Sequence, residues 1–225
     1  MKEYPIPFSG EMVRAILAGR KTQTRRVIKF HSPAYSDPDW LAGCSLVSFS
    51  HENGAIFRDR ISSTIPIKCP YGKPGDMNWV REALEKNVFS CGIIGATGAR
   101  YSADWGPARR TDGVLMAEPF WTWPWKRDVL PSIYMPRYAC RITPIVKDVR
   151  VERVQDISQN DALAEGIIKM YDNASWTYGW EGMPMPAFYG KPQWAFRALW
   201  DSINVERGLG WDVNSWVWVI EHDYT

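Results

Sequence analysis

Apolar positions recur along the chain at two spacings, and each spacing predicts a different element. Between residues 8 and 18, Val13, Ile16 and Leu17 fall on one face of a short helix. Ser9 or Gly10 can cap its start, Glu11 puts a negative charge in its first turn, and Gly19 is a natural stop. Phe196, Leu199, Trp200 and Ile203 repeat at i, i+3, i+4 and i+7 behind Pro192. That spacing predicts a stronger helix whose whole stripe faces the core. A third helix opens at Ser158, with Asp161 placed as in a capping box, and runs through Ala162-Leu163-Ala164-Glu165 to a stop at Gly166.

The other spacing predicts strands. Met77-Asn78-Trp79-Val80-Arg81-Glu82 follows the turn Pro74-Gly75-Asp76. Residues 45–49 and 55–58 read as short strands, and Tyr138 to Val154 as one or two, with Pro144 marking an edge, bulge or break. Trp216-Val217-Trp218-Val219-Ile220-Glu221 closes the chain as a strand. Three stretches, near 30–74, 86–135 and 167–191, are rich in Pro, Gly and aromatics and read as irregular insertions. No internal repeat or linker divides the chain, so residues 1–225 are expected to form a single domain. The order helix, strands, helix, helix, strand has too few crossover helices for a doubly wound sheet and predicts an α+β fold.

Composition narrows the function classes. The chain has 225 residues, 45% of them hydrophobic, enough to bury a useful core. The net charge of +2 is too small to imply a nucleic-acid coat by itself. Trp is the outlier, with 13 copies. In Phe120-Trp121-Thr122-Trp123-Pro124-Trp125 the three indoles alternate, so an extended segment would aim them to one side as a stacking wall. The plainer assignment, adopted here, is a loop pinned onto the core. Cys44, Cys69, Cys91 and Cys140 form no C-x-x-C pair, and His31, His51 and His222 lie far apart, so neither a metal nor another cofactor is expected. Free thiols suit a reducing cytosol. The segment Met1-Lys2-Glu3-Tyr4-Pro5 lacks a signal-peptide core, and no apolar run is long enough to span a bilayer. A cytoplasmic protein without a membrane partner is expected.

Candidate chemistry gathers in Gly19-Arg20-Lys21-Thr22-Gln23-Thr24-Arg25-Arg26. A Thr hydroxyl such as that of Thr24 is inert at neutral pH unless a base takes its proton. Lys21 can be that base if burial, or a cationic neighbour such as Arg20, Arg25 or Arg26, pushes its pKa down. Spacing does not decide whether the two converge. Three residues apart, they share a face on a helix and oppose each other on a strand.

Ile16-Leu17-Ala18-Gly19-Arg20-Lys21-Thr22-Gln23-Thr24-Arg25-Arg26 resembles the signature of the ASCH family, a G-x-K-x-x-x-x-R pattern after a short helix, matched by Gly19, Lys21 and Arg26. Thr24 stands where the family often has Glu, and there the chain resembles the small bacterial N4-acetylcytidine amidohydrolases. The resemblance continues in Pro74-Gly75-Asp76, in the Asp156-to-Gly166 helix and in Trp218-Val219-Ile220-Glu221, and it also extends to phage and prophage members. It implies a PUA-like small β-barrel with flanking helices and a cleft for a nucleobase. It further implies a Thr nucleophile at Thr24, a Lys base at Lys21 and a Glu acid at Glu165.

Glu165 sits in the last turn of its helix, where the dipole favours a protonated carboxyl, as a general acid needs. Glu82 is the reserve acid, with a salt bridge involving Arg81 or Glu82 as its plainer reading. Arg26, Arg20, Glu82 and Trp79 are the candidate substrate-binding residues, Arg26 either ordering the site or meeting phosphate. The reaction this implies is metal-free hydrolysis of an acyl group from N4 of a modified cytosine, as nucleoside or within nucleic acid. The rival expectations are a module that binds RNA or a modified base without cutting it, and a ribonuclease using the same basic cluster.

Overall fold

The computed structural model describes residues 1–29, 43–58, 63–88, 97–117, 122–172, 175–184 and 189–224. In chain order the strands are β1 (Glu3–Pro7), β2 (Gln23–Val27), β3 (Ser45–Ser50), β4 (Gly54–Arg58), β5 (Thr64–Ile67), β6 (Met77–Arg81) and β7 (Leu84–Val88). They continue as β8 (Thr97–Tyr101), β9 (Val129–Leu130), β10 (Ile145–Arg153), β11 (Ile168–Asp172), β12 (Ser175–Gly179) and β13 (Trp216–Asp223). The α-helices among the described residues are α1 (Gly10–Leu17), α2 (Gln159–Ala164) and α3 (Pro192–Asn204). The fold is α+β, with strands in several sheets and few helices.

The main sheet has the order β1-β6-β10-β13-β2. β1 lies parallel to β6, and the remaining pairs are antiparallel. Val217, Trp218, Val219 and Ile220 of β13 are all buried, as a strand covered on both faces requires. Its even and odd positions feed two separate cores. Trp218 and Ile220 join Ile28, Phe57 and Val149 beneath the β3–β4–β5 sheet. Val217 and Val219 join Phe196, Trp200 and Ile157 beneath α2 and α3. β2 is therefore an edge strand with a packed layer on each side. Among the described residues β1 and β2 do not pair, so the strands do not close on themselves. The two edges nevertheless approach, because the Arg26 guanidinium on β2 donates to the Pro7 carbonyl at the end of β1.

The helices form where the sequence places them. Ser9 accepts from Met12 N–H at the start of α1, and Ser158 and Asp161 form the expected capping box on α2. The stripe on α3 departs from expectation. Phe196 and Trp200 are buried, but Ile203 is 38% exposed and lines a cavity with Leu199. One edge of the stripe is cavity wall rather than core.

The expected strand at 138–144 also differs. Arg137–Ala139 is a 3-10 turn, and the strand begins at Ile145. Val80 and Asn78 donate to the carbonyls of Ile142 and Pro144, but Pro144 has no N–H to return, so the ladder fails there. The stretches read as irregular hold more order than their composition suggests. They contain β5, the three-stranded sheet β8-β7-β9 and the β11–β12 hairpin. The β4 turn uses Gly54 at φ +80°, where an added Cβ would lie 2.2 Å from the Ile67 carbonyl oxygen. Trp123 and Trp125 stack edge to face at 4.8 Å and pack on the core around Leu84, as a pinned loop would, while Trp121 lies outside the described residues.

Candidate active site

The basic segment after α1 is held by backbone hydrogen bonds before its side chains act. Gly19 adopts φ +69°, and the N–H groups of Arg20 and Lys21 both donate to the Ala15 carbonyl. This tight reversal lays Lys21 against the C-terminus of α2. The backbones of Lys21 and Glu165 form an antiparallel bridge, and Thr22 N–H donates to Ala164 O at 2.9 Å. Gly166, at φ +101°, ends the helix and leaves Glu165 at its cap.

Lys21 Nζ then makes three hydrogen bonds. It donates to Glu165 Oε2 at 2.6 Å, and to the carbonyls of Glu165 and Gln23 at 2.9 Å each. The side chains of Lys21 and Glu165 are only 2% and 5% exposed. A cation on the last carbonyl of a helix is favourably placed for the helix dipole. Burial pushes the Lys21 ammonium down from its ordinary range. Glu165 opposes that shift, and the charges of Arg26 and Arg25 add to it.

Arg25 comes to the same carboxylate from β2. Its side chain is fully buried, with Nη1 3.3 Å from Glu165 Oε1 and Nη2 3.1 Å from Glu152 Oε2 and 3.5 Å from Asp161 Oδ2. Arg150 extends the network to Asp161, Glu152 and Glu221. Strand alternation puts Gln23 and Arg25 on the α2 side of the sheet, and Arg150, Glu152 and Glu221 on the neighbouring strands join them there.

Thr24 and Arg26 have the opposite strand parity. Arg26 lies over the Phe8 ring at 5.0 Å. Nearby, Asn78 donates through Nδ2 to Tyr71 O, which leaves its Oδ1 to accept from His222 Nε2 at 2.7 Å. His222 is therefore the Nε2–H tautomer, with Nδ1 buried and without a partner among the described residues. Burial, with the charges of Lys21 and Arg26, lowers its pKa to about 3.

A cavity of about 680 Å³ wraps the free edge of β2. This explains why both faces of the strand reach it, Thr24 and Arg26 from one and Arg25 and Val27 from the other. Glu165 and α3 complete its wall. A second cavity of about 230 Å³ holds Lys21 and shares Glu165, Met12, Leu199 and Ile203 with the first. Glu165 thus lines both cavities, one with Lys21 and the other with Thr24. No hydrogen bond joins Thr24 to Lys21 among the described residues. Chemically, a desolvated Lys–Glu pair 2.6 Å apart can also exist as neutral amine and neutral acid, by transfer of one proton.

The remaining expected site residues lie elsewhere. Arg20 pairs with Glu181 at 2.8 Å on the surface beyond α1. Glu82 is 1% exposed and bonded twice to Arg141, which also pairs with Asp104, so its partner is Arg141 rather than Arg81. Trp79 packs on the core around Leu84, with Arg81 and Arg137 over its ring. None of these three lines either cavity. The sequence reading missed the network partners Gln23, Asp161, Glu152, Arg150 and Glu221, and also His222. The polar i, i+2 pairs Gln23/Arg25 and Arg150/Glu152 were the available signal for a polar strand face. Nothing local marked the long-range partner of Lys21.

Searches against protein-family models, curated proteins and solved structures find no match to this chain.

Proposed function

We propose that this protein is an amidohydrolase of the ASCH type that removes an acyl group from the exocyclic N4 of a modified cytosine, as nucleoside or nucleotide. The observation that carries the reading is the buried Lys21–Glu165 pair, whose Glu165 lines the same cavity as Thr24. A volume of about 680 Å³ lies within the usual range for small-molecule sites. We take the main sheet, whose edges Arg26 links through Pro7, as the counterpart of a PUA-like barrel. Free thiols at Cys69 and Cys140 suit a cytosolic setting, and no helix among the described residues is long and apolar enough to cross a membrane.

The chemistry proceeds from the neutral form of the pair. Lys21 amine takes the Thr24 proton as Oγ1 attacks the acyl carbon. Glu165 protonates N4, the C–N bond breaks, and the cytosine amine leaves. What remains is an acyl ester on Thr24 and the Lys21–Glu165 ion pair. Water then attacks the ester and gives a proton to the Glu165 carboxylate. Lys21 returns its proton to Thr24 Oγ1, the carboxylic acid departs, and the neutral pair is restored. For Lys21 to reach Thr24, its Nζ must release the Gln23 carbonyl.

One observation favours a second reading. All three protons of Lys21 are already bonded, as in a structural ion pair. The cavity would then hold RNA or a modified base without cutting it.

The test is ultraviolet assay of N4-acetylcytidine hydrolysis by the parent and by Thr24→Ala. The expected result is parent turnover, reduced at least about 100-fold in the variant. Absence of parent turnover together with tight RNA or modified-base binding would establish the second reading. Turnover that survives Thr24→Ala would discard Thr24 as nucleophile.

A further inference from the structure

We infer that the ligand of the larger cavity carries a phosphate group, and that Arg26, Lys29 and Arg207 form its subsite. The inference rests on taking that cavity as the substrate site of the proposed function, and it specifies the substrate class.

The cavity wall is unevenly charged. Its cations are Arg25, Arg26, Lys29 and Arg207, and its one carboxylate among the described residues is Glu165. Glu165 is already bonded by Lys21 and Arg25. Arg25 is in turn neutralised by Glu152 and Asp161. Arg26, Lys29 and Arg207 have no carboxylate partner among the described residues. The three sit on one cavity, so their charges repel wherever nothing answers them.

Arg26 is the most exacting of the three. Its guanidinium donates to the Pro7 carbonyl and lies over Phe8, while its Nε is buried with no acceptor among the described residues. Burial pushes its pKa down, Tyr71 and Glu165 oppose that shift, and the like charge of Arg207 adds to it. Arginine does not lose its proton under such pressure. The unfavourable state persists until an anion enters. A phosphate accepts from several guanidinium N–H groups at once and is the anion whose geometry suits arginine. Lys29 and Arg207 are exposed, so they can meet it at the mouth.

The α3 side of the wall is largely apolar. Phe196, Trp200, Leu199 and Ile203 present one edge of α3 to the cavity. A ligand with a flat ring at one end and a phosphate at the other matches both parts, which is the chemistry of a nucleotide. A free nucleoside would leave the three cations unanswered. The phosphate could belong to a mononucleotide or to a polynucleotide backbone.

The experiment is calorimetric titration of the full chain with cytidine, cytidine 5′-monophosphate and a short cytidine-containing RNA, at low and high salt. The parent and the Lys29→Ala/Arg207→Ala double variant, whose changes are at exposed positions, are compared. The monophosphate should bind the parent at least about ten-fold more tightly than cytidine, with the difference shrinking in salt and in the double variant. RNA binding more tightly than the monophosphate assigns the phosphate to a polynucleotide, and equal binding assigns it to a mononucleotide. Equal affinity for cytidine and its monophosphate overturns the inference, as does a preference that survives the double variant or no binding by any of the three. The readout is binding alone. A parent that prefers the monophosphate but leaves N4-acetylcytidine intact keeps the subsite and loses the hydrolase. A parent that hydrolyses without that preference does the reverse.

Discussion

Lys21 bonds to Glu165 through both ends of that residue: its Nζ lies 2.6 Å from the side-chain Oε2 and 2.9 Å from the backbone carbonyl oxygen. The two residues are 144 positions apart, yet their backbones also form a β-bridge. One lysine therefore closes the C-terminus of α2 and pairs with its last carboxylate. Desolvating both groups is costly, and the contact offsets that cost only while both partners remain.

Removing one partner should therefore cost more than removing both. Lys21→Met leaves a buried carboxylate facing Arg25 alone and is expected to destabilise by about 3–5 kcal/mol. Lys21→Met/Glu165→Leu removes both charges and should regain most of that loss. Urea denaturation of the parent, the single and the double variant measures it. A double variant as unstable as the single would mean that shape, not charge, holds the contact.

Activity should respond differently to a change that keeps the shape. Glu165→Gln retains a polar group against Lys21 and Arg25 but cannot carry the proton exchanged in the proposed mechanism. On N4-acetylcytidine, kcat should fall about 10²–10⁴-fold with little change in KM. A normal kcat would remove Glu165 from the chemistry, whatever its role in folding.

Acid should destabilise the fold through His222. This imidazole is buried, neutral and held near pKa 3, whereas its ordinary value is 6.5. Below pH 6.5 the unfolded chain binds a proton that the native state refuses, so stability is complete above 6.5 and declines as pH falls toward 3. Between pH 7.5 and 5 the loss from this group is about 2 kcal/mol. Asp161, whose pKa burial raises but hydrogen bonds from Gln23 and Ser158 and the charges of Arg25 and Arg150 lower to about 2, loses its contribution only below its ordinary 3.8, so it does not contribute between pH 7.5 and 5. His222→Gln should flatten the pH dependence between 7.5 and 5. An unchanged slope in chemical denaturation would show that another group sets it.

How far the sequence could be read depended on the range of each signal. Helices α1, α2 and α3 were legible because caps and apolar spacing act within a few residues, down to the Ser158–Asp161 box. β13 was legible as an unbroken apolar run. β2 was not, because Gln23, Thr24, Arg25 and Arg26 are polar and read as a basic loop. They are buried only because Glu165, Glu152 and Asp161 arrive from far along the chain to neutralise Arg25. The site divides in the same way. The family resemblance singled out Lys21, Thr24 and Glu165, and the helix end only supported the last. Their relative placement depended on an edge strand whose free edge borders the cavity. Glu82, expected as reserve acid and substrate-binding residue with a salt bridge as its plainer reading, is buried and paired with Arg141.

The placement of Glu165 depends on the residue after it. Gly166 holds φ +101°, a conformation that L side chains rarely adopt. Space is not the obstacle, since an added Cβ would lie 3.5 Å from Ala15 Cβ and 3.6 Å from Lys21 Cβ, ordinary contact distances. Gly166→Ala should therefore cost about 1–2 kcal/mol of backbone strain. The chain can relieve that strain only by turning the end of α2, which would move Glu165 away from Lys21. Activity should then fall by more than the stability loss explains, at a temperature where the variant remains folded. Thermal denaturation together with turnover at that temperature separates the two effects. Full activity in a strained but folded variant would show that the position of Glu165 does not limit the reaction.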